Sequence, residues 1–538
     1  MKKYLLVLVS LCCALLPALA EHPEYPELKK SDANIIGHVL DKKTSEHLPY
    51  ITIALKGTTI GTVTDATGHY FLKNLPEGNF MMEVSSVGYK TVTRSVTLKK
   101  GKTLEENFEL EEDAIALDGV VVSANRSETT RRLAPTLVNV VDLKLFETTN
   151  SSTLSQGLNF QPGVRVETNC QNCGFQQVRI NGLDGPYTQI LIDSRPVFSA
   201  LSGVYGLEQI PASMIERVEV MRGGGSALFG SSAIAGTINI ITKEPLRNSG
   251  QLSHTITSIG GSSAFDNNTS LNASLVTDDH RAGLYIFGQN RHRSGYDYDG
   301  DGFTELPKLK NQTVGFRSYL KTSTYSKLTF EYHHMQEFRR GGDMLDRPPH
   351  EAHIAEQLQH SIDGGSLKYD YFSPNEKNRL SVFASAANTD RDSYYGPGND
   401  PLKAYGKTTD LTAMGGVQYV HTFDKCLFMP SDLTAGLEYN RDRLKDNMWG
   451  YDRHTDQTVK VYSAFLQNEW KNKHWGILIG GRLDKHNMVD DVIFSPRANL
   501  RFNPMDNINL RLSYSSGFRA PQAFDEDMHI ENVGGTVV

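Results

Sequence analysis

The sequence predicts a mainly β protein: a small β-sandwich near the N-terminus, then a long run of strands suited to a transmembrane antiparallel β-barrel. Three observations carry that reading. From Asn34 to Glu111 short β-prone runs alternate with turn signals such as Pro76-Glu77-Gly78, the spacing of a sandwich. From about Gly250 the chain becomes amphipathic segments of roughly ten residues, apolar and polar in alternation, as membrane strands require. Beyond Ala20 no apolar run is long enough to make a spanning helix. A membrane location therefore demands a barrel, which satisfies every backbone hydrogen bond in lipid.

The chain has 538 residues and a formal net charge of -7. That length suits several domains, or one small domain plus a large β structure. The acidic balance and the lack of basic tracts argue against nucleic acid as a partner. Lys2 and Lys3, the apolar Tyr4 to Leu16 and Ala18-Leu19-Ala20 form a secretory signal over residues 1–20, with the mature chain starting at Glu21. A retained anchor is the alternative; the short apolar stretch ending at Pro17 disfavours it. Leu11 ahead of Cys12 disfavours a lipoprotein.

Three cysteines remain after the signal: Cys170, Cys173 and Cys426. Cys170-Gln171-Asn172-Cys173 fits a redox motif, half a zinc site or a small disulfide. No second pair exists to complete a structural zinc site, and a secreted chain meets an oxidising compartment. A Cys170–Cys173 disulfide is the expectation, with thiols as the alternative. Cys426 reads as buried or solitary.

Glu21 to Ala33, with Pro23 and Pro26, reads as a linker. The sandwich spans 34–112. It resembles the carboxypeptidase-regulatory-like domain in Gly37 to Val39, Thr64 to Tyr70 and Val87 to Tyr89. The resemblance implies a fold and no peptidase activity, since no nucleophile or metal-ligand cluster comes with it. Residues 115–125 follow, AIALDGVVVSAN being their surroundings. Val120, Val121 and Val122 suit an edge strand added to a partner's sheet or a linker strand.

Ala212 to Lys243 reads as strand, glycine turn, small residues and strand. Val218 and Val220 alternate with Arg217 and Glu219, the pattern of a half-buried strand with one charged face. Gly223, Gly224 and Gly225 permit a turn that side chains would forbid, and Ile238, Ile240 and Ile241 begin the next strand. A phosphate cradle is rejected because no Gly-Lys-Ser/Thr follows. Gln161 to Val164, Val178 to Gly182, Ile190 to Asp193, Arg195 to Val197 and this stretch resemble, in order, the plug domain of TonB-dependent outer-membrane receptors, over 129–243. Ser194, Gly224 and Phe229 stand where the family usually has Gly, Pro and Tyr.

The resemblance implies an α/β plug inside the barrel, a partner, TonB, and an energy-coupling strand just ahead of the plug. Asp118, Gly119, Val120, Val121, Val122 and Ser123 match that strand, with Gly119 where Glu is usual. It also implies active uptake of a scarce ligand across the outer membrane of a Gram-negative bacterium, with the sandwich periplasmic. The expected ligand is a metal chelate, a ferric siderophore or haem; cobalamin, an oligosaccharide or a non-transporting surface-binding role are alternatives. Arg217, Glu219 and Arg222 are expected to meet the barrel's inner wall.

Over 250–538 about thirteen strands are expected, against an even number in bacterial barrels and about twenty-two in this family. The barrel is thus expected to be incomplete in this chain. Connections alternate short (Thr277 to His280, Thr322 to Ser326) and long (His292 to Asn311, Phe338 to Gln357, Arg391 to Gly406), and the long ones are assigned outside.

Asp297, Asp299, Asp301 and Gly302 match the first half of a calcium loop, and Glu305 adds a carboxylate. Lys308 stands where the closing Glu would be, so a solvated acidic loop is the alternative to calcium. Phe518-Arg519-Ala520-Pro521 resembles a box of haem receptors, with His529 after it as a tentative haem ligand. His333, His334, His350 and His353 are further metal or haem candidates, or solvated side chains. No catalytic constellation stands out: no enzyme is expected, and no cofactor is required.

Overall fold

The computed structural model describes residues 30–523 apart from 66, 87, 113–119, 127–128, 171–172, 197–205, 398–403 and 506–507, together with 532–533 and 536–537. The signal segment lies outside the described residues.

Alternation of apolar and polar side chains builds the N-terminal sandwich. In one four-stranded sheet Lys30–Asp41 pairs antiparallel with His69–Pro76 and parallel with Thr103–Glu105 and Phe108–Leu110. The other runs Gly61–Val63, Thr52–Leu55, Gly78–Ser85, Val92–Leu98. Ile35, Ile53, Leu55, Met82, Val84 and Phe108 meet between the sheets, all buried. Each such side chain contributes about 1.5–3 kcal/mol. Charges stay outside: Arg94 pairs with Glu106 at 2.7 Å.

The large sheet has 13 antiparallel strands in sequential order, from Ser249–Ser258 to Ile508–Ser515. Its polarity is the reverse of the sandwich. Leu252, Leu437, Leu466, Ile479 and Leu512 stand on its exposed face, whereas Arg291, Arg339, Arg391 and Arg501 are buried on the other. Apolar side chains outward and charged ones inward suit a sheet whose outer solvent is lipid. Trp475 stacks on Phe502 and Phe428 on Trp470 at one rim, the place of an aromatic girdle.

The strands exceed the expected ten residues. Tyr405–Cys426 has 22 and Asn378–Pro397 has 20. The loop expected from Phe338 to Gln357 shrinks to residues 343–353, since Ser326–Gly342 and Ile354–Phe372 pair through Gly342 and Ala355. Apolar alternation marks only the lipid belt. Beyond it both faces are polar, and backbone pairing continues without a signature. Thr59 N donates to Thr324 O at 3.0 Å, and Arg247 lies over the Tyr50 ring; the sandwich therefore sits at the rim of the short turns. The longer connections lie at the opposite rim.

Within the large sheet sits the plug. Its mixed sheet runs Val138–Asp142, Ile215–Arg222, Gly236–Thr242, Thr188–Ile192, the last pair parallel. The hairpin Val164–Cys170 and Phe175–Ile180 rises from it, and among the described residues short α-helices flank the sheet at Leu143–Thr148, Leu154–Leu158, Gly206–Gln209 and Ser226–Phe229. Ile215, Val218, Val220, Ile238 and Ile240 form its core, into which Tyr285 and Phe287 reach from the barrel sheet. The strand Ile215–Arg222 is not half-buried as expected: Val218 and Glu219 are both 0% exposed. The segment ahead of the plug covers the face that period-two reasoning assigns to solvent.

Candidate functional site

Glu219 organises the site. Val120–Val121 pairs with Thr129–Thr130, and the chain then turns so that three donors converge on one carboxylate oxygen. Val122 N, Ser123 N and Ser123 Oγ donate to Glu219 Oε2 at 2.9, 2.8 and 2.7 Å. Asn239 Nδ2 donates to Ser123 Oγ at 2.9 Å, and Arg217 Nε to Glu219 Oε1 at 3.0 Å. A buried carboxylate is tolerable only when paired and hydrogen-bonded in this way. Val122 and Ser123 are thus latched to the central plug strand. Asp118 and Gly119 lie outside the described residues, and Val120 is placed as strand backbone.

The next three residues are held by the barrel sheet. Arg497 Nη2 donates to Ala124 O at 2.6 Å, Asn125 Nδ2 to Glu469 Oε2 at 2.8 Å, and Arg126 pairs with Glu438 at 2.6 Å. Glu438 also pairs with Arg482 at 2.7 Å, and Arg482 Nη1 donates to Leu228 O of the plug. One continuous network therefore links segment, plug and wall. A cavity of about 180 Å³ lies beside it, bordered by Phe229, Thr412, Glu438 and Arg482.

A second link lies toward the opposite rim. Glu208, in the plug helix Gly206–Gln209, pairs with Arg339 at 2.7 Å, Arg293 at 3.2 Å and Arg291 at 3.5 Å. Burial by itself would raise its carboxyl, but Arg293, Arg339 and Arg291 outweigh that and hold it at about 2.

The glycine turn serves packing. Gly223 has φ 83°, in the left-handed region that favours glycine. A Cβ on Gly224 would lie 2.7 Å from Ser515 Oγ, which donates to Gly224 O at 2.6 Å. A Cβ on Gly225 would meet Thr237 Oγ1 at 2.7 Å. The expectation that the charged face meets the barrel wall is corrected. Glu219 turns to residues 122–123, Arg217 pairs with it, and Arg222 donates to Pro162 O. Glycine backbone makes the wall contact here, because a strand this close to the wall has no room for long side chains.

Asp297, Asp299, Asp301 and Glu305 come together, each offering an oxygen within 4.8 Å of the others. Gly300 N and Gly302 N donate to the Asp297 carboxylate at 2.7 and 2.9 Å. The expected Cys170–Cys173 disulfide is absent: both residues are thiols. Cys170 Sγ instead donates to Glu356 Oε2 at 3.1 Å across the plug–barrel boundary, which draws the sulfur toward the wall.

His529 lies outside the described residues. Phe518 and Ala520 bond through their backbone to Ser232, Ser226 and Ser231 of the plug. His333 and His334 lie in the strand Ser326–Gly342 rather than in a loop; His334 Nδ1 is 2.9 Å from Asp363, His350 is 3.0 Å from the Tyr405 hydroxyl and His353 is 2.5 Å from Asp343. They form no cluster of three or more metal-ligating groups among the described residues. Sequence reasoning missed Arg126, Glu208 and Glu356. Each is one charged residue among many, and only its partner across the fold makes it special.

A folded domain held within an outward-apolar sheet, with a strand latched to that domain, defines a plugged membrane receptor. Comparison with known proteins agrees. Residues 35–122 match the CarboxypepD_reg-like domain, 130–237 the TonB-dependent Receptor Plug Domain and 242–536 the TonB dependent receptor-like, beta-barrel. The last match covers more than half of the chain, and the chain belongs to the TonB-dependent receptors, an outer-membrane family of transporters and receptors.

Among its relatives, the vitamin B12 transporter BtuB of Vibrio vulnificus strain CMCP6 is 24% identical over 424 residues, 76% of this chain and 64% of the transporter. The siderophore receptor PirA from Acinetobacter baumannii superposes with TM-score 0.63 at 19% identity, over 73% of this chain and 62% of PirA. A mutant of the ferric enterobactin receptor PfeA from Pseudomonas aeruginosa, in complex with enterobactin, gives 0.61 at 19%, over 72% of this chain and 63% of PfeA. The chain thus spans less than two thirds of each of these proteins. At such identities the solved structures speak for the fold.

Proposed function

We propose that this chain serves TonB-dependent uptake of a scarce ligand across the outer membrane, with the sandwich in the periplasm and the long connections outside. The observation that carries the reading is the Glu219 latch. It ties residues 122–123, the last two of the strand expected to pair with TonB, to the middle strand of the plug sheet. A pull on Asp118 to Ser123 would load Glu219 first and then the strand Ile215–Arg222, so force entering at the coupling strand reaches the plug core. Ligand bound at the plug's apex and outer loops would favour release of the coupling strand toward TonB. Nothing in this reading calls for catalysis.

An iron chelate, first a ferric siderophore, is the proposed ligand; the fold shared with siderophore receptors supports it. Cobalamin is the second reading, favoured by the similarity to a vitamin B12 transporter. Haem would use His529, and calcium on Asp297, Asp299, Asp301 and Glu305 would stiffen an outer loop. The deciding experiment is growth and uptake in cells dependent on the full-length receptor. Deleting 118–123 should abolish uptake while surface binding of the ferric siderophore persists. Uptake that survives the deletion would refute energy coupling through this strand. A haemin titration with no Soret shift, or one unchanged by His529→Ala, would remove haem.

A further inference from the structure

We propose that Cys170, Cys173 and Glu356 form a binding site for a thiophilic d10 metal ion, Zn2+ or Cu+, shared between the plug and the barrel wall. This site stands independently of the uptake reading above.

The hairpin builds two of the ligands. Its register slips between Thr168 and Cys170, and such a bulge re-aims the side chain that follows it. Gly174, at φ 70°, donates its N–H to Cys170 O at 3.0 Å. That hydrogen bond ties Gly174, next to Cys173, back to Cys170.

Glu356 supplies the third ligand from the strand Ile354–Phe372, near its end at the rim opposite the sandwich. The two sulfurs and the carboxylate oxygen all lie within 4.8 Å of one another. Ligands on one tetrahedral ion with bonds of about 2.0–2.3 Å stand roughly 3.3–3.8 Å apart. A closing of about 1.5 Å at most would therefore complete the triad.

The surroundings suit a soft ion. Cys173 is 1% exposed and packs in a cluster with Leu358, Tyr395 and Met448. Thiolate and thioether donors select Cu+ and Zn2+ over hard cations. A water is the natural fourth ligand. Two thiolates and a carboxylate carry three negative charges. The bound ion itself offsets part of that charge and favours the thiolate forms; nearby Arg339 is already paired with Glu208 and Glu337. Binding releases the two thiol protons to solvent and involves no electron transfer.

The test uses the full chain, reduced and without oxygen, titrated with Co2+ as the zinc probe and separately with Cu+. One equivalent should bind. Co2+ should give thiolate-to-metal charge-transfer absorption, and either ion should protect Cys170, the more accessible thiol of the pair, but not Cys426, from alkylation. Cys170→Ser or Cys173→Ser should abolish the absorption. Glu356→Gln should weaken binding at least about tenfold, since even an outer-shell partner costs that much. The inference is overturned by an unprotected Cys170 in the unsubstituted chain, or by affinity indifferent to Glu356→Gln, which would mean an adventitious ion on the cysteine pair only. Alkylation needs no substitution, so a variant that fails to fold leaves the test intact.

Discussion

The sandwich and the barrel sheet are both antiparallel-rich β structures with period-two side chains, yet they are inside out with respect to one another. In the sandwich Ile53, Met82 and Phe108 are buried and Arg94 and Glu106 lie at the surface. In the barrel sheet Leu437 is 65% exposed while Arg339 is 0% exposed. The same strand geometry yields opposite polarity because the outer solvent differs. Water rewards burying apolar area, whereas lipid is as apolar as leucine and leaves charges to pair inside. Between the two lies the plug, which has an apolar core of its own and a charged boundary with the wall.

The contrast can be broken from either side. The largest effect is expected from Met82→Asp, an unpaired charge in the sandwich core, at about 3–5 kcal/mol. Hydrogen exchange over residues 30–112 should rise throughout, while the barrel stays protected. Leu466→Arg, on the lipid face, should cost about 2–4 kcal/mol if it lies near the midplane, read as a lower urea midpoint for folding into vesicles. A soluble sheet would ignore that substitution, so an unchanged midpoint would deny the lipid belt.

Glu219→Ala should cost about 1–3 kcal/mol, because it orphans buried donors. Its signature is faster exchange at Val122 and Ser123 with the sandwich unaffected. Smallest is Phe71→Ser on the sandwich's outer face, where Phe71 is 41% exposed; a change within about 0.5 kcal/mol is expected.

Acid sharpens the same comparison. Glu208 is held at about 2, below its ordinary 4.5. Its contribution to plug anchoring is therefore complete above 4.5 and lost as pH falls through about 2. In the sandwich, the Asp65 carboxyl is lowered by a hydrogen bond from Thr67, which outweighs burial, so its contribution is complete above 3.8 and lost only below it. Glu208→Gln should weaken the plug's acid response without altering that of the sandwich, as hydrogen exchange in the two regions would report.

Much of this was legible in the chain. The alternating runs from Asn34 to Glu111 announce the sandwich, and the apolar alternation around Leu437 and Leu466 announces membrane strands. The ordered blocks up to Lys243 announce the plug. Strand ends were not legible: residues such as Asp442 to Met448 carry no lipid-belt pattern, yet they pair with Gly406 to Thr412. Nor was the fate of Cys170 and Cys173. Their spacing suits a disulfide, and the choice falls to Glu356, 186 positions from Cys170.

By itself, then, the sequence determined the class of each region, because period-two patterning and local turn chemistry are properties of neighbours along the chain. The partners of Glu219, Glu208 and Cys170 were decided only by the tertiary structure. A buried charge or thiol is defined by what faces it across a lumen, and that separation in sequence is set by topology rather than by any local preference.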